Sequence, residues 1–449
     1  MSQPGLAETK LPHATRALLL LLGLNLLNYG DRQVLNALAP KVIDAFSLSD
    51  TQFGLTASVF IYAYMIGAPI LGQLAQRMSR WWLISGCVVI WSVASGSGLA
   101  FGFAFLLTMR VLVGIGEAGY GPAAPALLSD YFPPRLRGRV ISIFYIAIPV
   151  GSALGFIYGG AMVDHWKWAF VLLMPLGLTM AVLCFLMKDP RPQVAGGGAQ
   201  LRFFPTVKKL LRIPSYVANT GAMTAMTFVL GGMSVWTTRY ITFRMQVQEG
   251  LYTTLAQPNN SPEFFHAVHR SDEILKSVSG TFGIVVVVSG IFSTLLGGLV
   301  GDWLRPKLRG AYLYVSGGAI LFAFPCMLAM LWLPFPTAWF AVFGAVFFLF
   351  FNTGPANTAL ASVTNSAMRS TAFALNIFVI HALGDALSPP LMGWLAEKTN
   401  WNTAFVIISP LILVASAFWL IGARYLHNDE LRAEGKLPEL ETDSAQPAK

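Results

Sequence analysis

Two carboxylates and two guanidiniums stand inside stretches that are otherwise almost wholly apolar: Asp31 and Arg32 within residues 16–39, Arg110 and Glu117 within residues 105–129. Charge in hydrocarbon costs at least ~2.5 kcal/mol per side chain on insertion scales, so such residues face a bundle interior and act there. Arg110 and Glu117 are seven apart, which puts them two turns along one helix face at ~3.6 residues per turn. If the two stretches are neighbouring helices, the four side chains form one cluster. The chemistry that suits such a cluster is proton coupling. A carboxylate among apolar groups holds its proton tightly and a nearby arginine loosens that hold, so moving the arginine, or supplying an anion to it, changes proton affinity. Glu117 has no charged neighbour in sequence and is the expected proton carrier. Asp31, held by Arg32 or Arg110, is its switchable partner. Both arginines also match the bidentate geometry of an anionic carboxylate or phosphate group. The alternative is a static ion-pair network that fixes helix packing, although buried pairs are weak stabilisers.

A second pair, His381 and Asp385, lies four residues apart near the middle of another apolar stretch. It suits a proton relay or a structural hydrogen bond, and lacks the further ligands that a metal site needs. Asn352, Asn357 and Asn376 either line a site or join helices to one another. His266 and His269 have helical metal spacing, but no carboxylate or cysteine cluster completes them. Cys87, Cys184 and Cys326 read as small packing residues in three different stretches. No metal and no cofactor is expected. Nor is an enzyme, since no pairing of nucleophile with base appears.

The elements that must position these residues follow from composition. Of 449 residues 55% are hydrophobic and 11% charged, against roughly 25% charged in a soluble domain. About twelve stretches of some 20 apolar residues recur, each long enough to cross ~30 Å of hydrocarbon as a helix. The expected fold is an all-α polytopic membrane protein. The net charge of +9 is a matter of topology rather than of nucleic acid. Arg77 and Arg80, then Arg135, Arg137 and Arg139, then the cluster from Lys188 to Arg212, then Arg305, Lys307 and Arg309 fall in alternate connections, which makes both termini cytoplasmic by the positive-inside rule. Attraction to anionic membrane lipid is a secondary reading of the same charges.

The connection 188–214, with its Gly196-Gly197-Gly198 run and a possible basic amphipathic helix from Leu201 to Leu211, divides the chain. The expected units are an N-terminal bundle at 1–187, a cytoplasmic linker at 188–214, a C-terminal bundle at 215–424 and a cytoplasmic tail at 425–449. An internal echo supports the division: GQLAQRMSR, from Gly72, recurs as GLVGDWLRPK, from Gly298. Corresponding signals in two halves are expected of a repeat-built transporter. The other long connection, 242–277, should lie on the opposite side and carry a small helical lid. It includes the Asn259-Asn260-Ser261 glycosylation sequon, which says nothing of the host. Glycines at 151, 155 and 159, and at 280, 283, 290 and 297, mark close helix contacts. Phe347, Phe348, Phe350 and Phe351 read as packing or lipid-facing rings.

These residues resemble the major facilitator superfamily, in the loop GQLAQRMSR and in Arg110-Val-Leu-Val-Gly114-Ile-Gly116. Within it, NYGDR at 28–32, GIGEAGYGPAAPALLSDYF at 114–132, RGRVISIFYIAIPVGSALGFIYGG at 137–160 and HALGDALSPPLMGW at 381–394 resemble the Spinster branch. The resemblance implies twelve transmembrane helices in two pseudo-symmetric six-helix bundles, with helices one, four, seven and ten around a cavity, and transport by alternating access. It also implies a lipid-like substrate, since animal Spinster proteins move sphingosine phosphate or lysophospholipids, some with protons. The superfamily loop has aspartate where this chain has Gln76, while the second half keeps Asp302 beside Arg305. That acid helps to shut the cytoplasmic side, so Arg77 is expected to reach Asp130 instead.

The resulting expectation is a proton-coupled secondary transporter of an amphipathic anionic lipid-like molecule, monomeric, in a bacterial inner membrane. Its partners are that small substrate, protons and membrane lipid. Symport of a small organic anion such as a sugar acid, or drug export by proton antiport, are the alternatives in the same class. A non-transporting receptor or scaffold is the alternative from another.

Overall fold

A computed structural model describes residues 12–97, 101–190, 203–255, 261–365 and 368–438. Every regular element among them is helical. The glycine run at 196–198 and Asn259 and Asn260 of the sequon lie outside the described residues.

Twelve long helical segments match the expected spans. In the first half they are α1 (Ala14–Ala37), α2 (Asp50–Arg77), α3 (Arg80–Ser97), α4 (Phe103–Tyr131), α5 (Pro134–Ala161) and α6 (Val163–Phe185). In the second they are α7 (Pro214–Gln248), α8 (Pro262–Leu304), α9 (Ala311–Trp332), α10 (Ala338–Ser362), α11 (Thr371–Lys398) and α12 (Trp401–Ala433). Nine of these described helices are long and apolar enough to cross a membrane by length and composition alone; α1, α3 and α7 are the other three. Local chemistry sets the boundaries. Ser49 caps α2 in a reciprocal box with Gln52, Asn400 caps α12 through the Thr403 N–H, and proline stands in the first turn of α5, α7 and α8, where its missing N–H costs nothing.

A short basic helix, Phe203–Leu210, occupies the described part of the linker. Among the described residues of the 242–277 connection, Thr242–Gln248 continues α7, Pro262–Lys276 begins α8 and the short helix Tyr252–Leu255 lies between them. At ~1.5 Å per residue these two helices greatly exceed a ~30 Å hydrocarbon core. Arg270 ties their protruding ends together through Glu249, with an Nε–Oε2 distance of 2.8 Å.

The glycine face of α5 receives α1. A Cβ on Gly155 would lie 2.2 Å from the Gly30 carbonyl oxygen, and one on Gly151 2.7 Å from that of Leu26. Helix α8 packs on the other side of α5, with the Phe156 and Phe282 rings 4.9 Å apart and Gly283 against the Ala153 carbonyl.

Bonds between the two halves gather at one end of the molecule, where α1 finishes and α2 begins. We call it the far end, because the described termini lie at the other. Lys41 pairs with Asp272 at 2.6 Å, Asp50 with Arg239 at 2.9 Å and Asp164 with Lys276 at 2.6 Å. The Thr51 N–H donates to Glu397 at 2.6 Å. Gly54 and Gly393 let α2 and α11 meet backbone to backbone there.

Candidate functional site

Helices α1 and α4 are neighbours, as the cluster requires. Arg32 donates its Nε to Glu117 Oε2 at 2.7 Å, and its Nη2 to the same oxygen. Glu117 is 1% exposed and its Oε1 has no hydrogen-bond partner among the described residues. The Arg32 side chain keeps 25% of its surface accessible. Three rings surround its guanidinium carbon: Phe60 at 4.6 Å, Tyr29 at 5.0 Å and Tyr64 at 5.8 Å.

Asp31 points the other way. It is 3% exposed and accepts from the Ser95 hydroxyl of α3 at 2.6 Å, while its Oδ2 has no partner among the described residues. Arg110 donates to the Thr56 carbonyl at 3.3 Å and lies 4.7 Å from the centre of the same Phe60 ring. Asp31, Ser95 and Arg110 line one small pocket with Leu106, Met109 and Phe170, and Asp31 and Ser95 line a second against Trp91 and Met174. The expected four-residue cluster is therefore two adjacent sites. One is an arginine–glutamate pair and the other an aspartate bound to serine near an arginine, with Phe60 between them. The hydrogen bond that holds Asp31 comes from Ser95 rather than from either arginine.

Across the boundary between the halves, His381 Nδ1 lies 2.9 Å from Asp385 Oδ2. The His381 ring is 6.5 Å from Tyr64, so Tyr64 stands between this pair and Arg32. Asn352 and Asn357 bond to carbonyls of their own helix at 2.8 Å, and Asn376 approaches the Met223 sulfur at 3.7 Å.

At the termini end the expected contact of Arg77 with Asp130 is made by Arg80 instead. Arg80 is 3% exposed; its Nη1 lies 2.7 Å from Asp130 and its Nη2 2.6 Å from Asp189. Arg77 is exposed. In the second half, Asp302 accepts from the Tyr312 hydroxyl at 2.8 Å, and the Arg305 guanidinium lies 5.6 Å from that ring, so this group sits within one half. Sequence reasoning missed Ser95, Phe60 and Asp189. A lone serine or phenylalanine in an apolar helix carries no signal of its own. Arg80, by contrast, closes the GQLAQRMSR motif and was in view.

Comparison with known proteins decides the family. The family model of the Major Facilitator Superfamily matches residues 21–387. Spinster homolog 3 of Danio rerio is 32% identical over 93% of this chain and 87% of its own length. Human Spinster homolog 1 is 33% identical over 85% of this chain and 73% of its own. The chain belongs to the Spinster family of the Major Facilitator Superfamily. A bacterial homolog to the human lysosomal transporter Spinster, solved in an inward-facing, unoccupied conformation, shares the fold with a TM-score of 0.76 at 22% identity, covering 94% of this chain and 99% of that one. This Spinster protein is accordingly a multi-pass membrane transporter and not an enzyme. Its NYGDR segment carries Arg32, its GIGEAGYG segment carries Glu117, and the ion pair joins them.

Proposed function

We propose that this protein is a secondary active transporter of an amphipathic anionic lipid-like molecule, driven by protons and working by alternating access. The observation that carries the reading is the arrangement of Arg32 against Glu117. A partly accessible guanidinium ringed by aromatic faces is suited to an anionic head group, and the fully buried carboxylate behind it has one oxygen with no partner among the described residues. An anion that engages Arg32 weakens its hold on Glu117, and a proton on Glu117 frees Arg32 for the anion. The two events are thus linked, each favouring the other. The apolar and aromatic residues around Arg32 suit a hydrocarbon tail better than a ring of hydroxyls, which would need many hydrogen-bond partners. Asp31, bonded to Ser95 and close to Arg110, serves as the second protonatable group. His381 and Asp385 extend the charge network into the second half through Tyr64.

In this reading residues 1–187 and 215–424 are the two moving bundles, 188–214 links them and both termini are cytoplasmic. The far end is then extracytoplasmic, and the gathering of bonds there corresponds to a state open toward the cytoplasm. Asp130, Asp302 and Arg305 belong to the cytoplasmic gate, with Arg80 in the role expected of Arg77.

The test is flux in proteoliposomes loaded with lysolipids, sphingoid phosphates or small organic anions, each with and without a pH gradient. Lysolipid or sphingoid phosphate flux that a proton gradient accelerates, and that loses this acceleration in Glu117→Gln, is the expected result. Flux of organic anions alone removes the lipid assignment. A full response to the gradient in Glu117→Gln removes the proton carrier.

A further inference from the structure

Helix α11 breaks where its backbone lacks donors. Pro389 and Pro390 have no N–H, so the Ala386 carbonyl has no donor three or four residues ahead of it. Upstream, His381–Asp385 forms a single π turn, in which the Ala386 N–H reaches back to the His381 carbonyl at 3.1 Å. That N–H is the regular α-helical partner of the Ala382 carbonyl, which loses it. A carbonyl at membrane depth must find another donor.

Both donors come from the opposite half. The Ser58 hydroxyl of α2 donates to Ala386, and the Tyr62 hydroxyl lies 3.5 Å from the Ala382 carbonyl. Ser58 and Tyr62 are four residues apart on one face of α2, as the two carbonyls are on α11. Gly54 is one turn earlier on the same face, and a Cβ there would lie 2.6 Å from the Pro389 carbonyl carbon. Ser58 is 4% exposed and Ala386 0%, so bulk water does not reach this contact.

We propose that Ser58 and Tyr62 are positioning residues: a hydroxyl clamp that holds the break in α11, orients His381 and Asp385 on its π turn, and keeps the far end shut. Opening the far end withdraws both hydroxyls and lets water reach the Ala386 carbonyl in place of Ser58. The clamp therefore favours the closed far end, and its loss favours the open one. This inference rests on the alternating-access reading above.

The experiment is a distance measurement between spin labels at Ala45 and Thr399, two exposed far-end positions on opposite halves, in a Cys87→Ala, Cys184→Ala, Cys326→Ala background. Two populations are expected, with Ser58→Ala raising the ratio of open to closed on the order of tenfold. Tyr62→Phe shifts it less in the same direction, and Ser58→Thr restores it. Pro390→Ala gives the Ala386 carbonyl an N–H within its own helix, so the Ser58→Ala, Pro390→Ala double variant loses most of the shift. An unchanged ratio in Ser58→Ala, or a full-sized effect in the double variant, overturns the clamp. A single closed distance in every variant, pH and substrate condition overturns alternating access instead.

Discussion

Arg32 gives two hydrogen bonds to a single oxygen of Glu117 and none to the other. The pair is neutral as a unit but unbalanced at the carboxylate, which sets it apart from a symmetrical fork-to-fork bridge in which both oxygens are used. Removing one partner of a buried pair costs about 3–5 kcal/mol, because a charge is left unpaired. Arg32→Ala should therefore lower the unfolding midpoint in detergent clearly. The double variant Arg32→Ala, Glu117→Gln, which strands no charge, should recover most of the loss. Additive losses in the thermal unfolding of the three proteins would show that the pair is not coupled.

The glycine face of α5 gives a prediction with a built-in control. A methyl group on Gly155 meets the backbone oxygen of Gly30 at 2.2 Å, and backbone cannot step aside as a flexible side chain does. Gly155→Ala should separate α1 from α5 and lose at least 1–3 kcal/mol, the usual range for overpacking. Gly280 and Gly298, with nothing within 4 Å of the same position, should accept alanine with no loss. Unfolding midpoints of the three variants check this ranking.

At the termini end, Arg80 and Arg77 should behave differently although they share one motif. Arg80→Ala removes the Nε and Nη2 bonds to Asp189 and the ion pair with Asp130, leaves the backbone N–H bond to Asp189 in place, and should destabilise the first half by about 3 kcal/mol. Arg77 is exposed, so Arg77→Ala should stay within about ±0.5 kcal/mol and leave the conformational equilibrium unchanged. Equal effects of the two substitutions, by unfolding or by interspin distance, would reverse this assignment.

How much of this was legible beforehand depended on whether a residue's meaning is local. Asp31, Arg32, Arg110 and Glu117 announced themselves, because charge in an apolar stretch is costly wherever the chain goes. The spans were legible for the same reason, while α7 and α8 overran because a polar extension stays helical when a neighbour pairs with it, as Glu249 does with Arg270. Ser95 and Ser58 were not legible. A serine in a helix normally bonds to its own backbone, and only packing decides that one instead reaches Asp31 and the other Ala386. Pro389 and Pro390 did declare that a carbonyl would be stranded. They could not say that its donor would come from more than 300 positions away in the chain.

Phe60 supplies the last prediction. Its ring centre lies 4.6 Å from the Arg32 guanidinium carbon and 4.7 Å from that of Arg110, so one aromatic side chain serves two cations. A cation–π contact contributes from about 0.5 kcal/mol where water reaches the cation to about 2 kcal/mol where it does not, and the ring also separates two like charges. Phe60→Leu keeps the apolar volume but removes both contacts, which should leave Arg32 and Arg110 less well placed and reduce proton-driven flux roughly tenfold, the equivalent of ~1.4 kcal/mol. Phe60→Tyr retains the ring face and should keep most of the activity. Because the ring touches both Arg32 of the Glu117 pair and Arg110 beside Asp31, it bridges the two sites in addition to the peptide bond between Asp31 and Arg32. The variant should therefore weaken their coupling, so that Asp31→Asn changes flux by the same factor whether or not Glu117 is replaced by Gln. A double-mutant cycle of Asp31→Asn and Glu117→Gln, measured with and without Phe60→Leu, reads that coupling directly, and an interaction energy independent of Phe60 would remove the ring from the pathway.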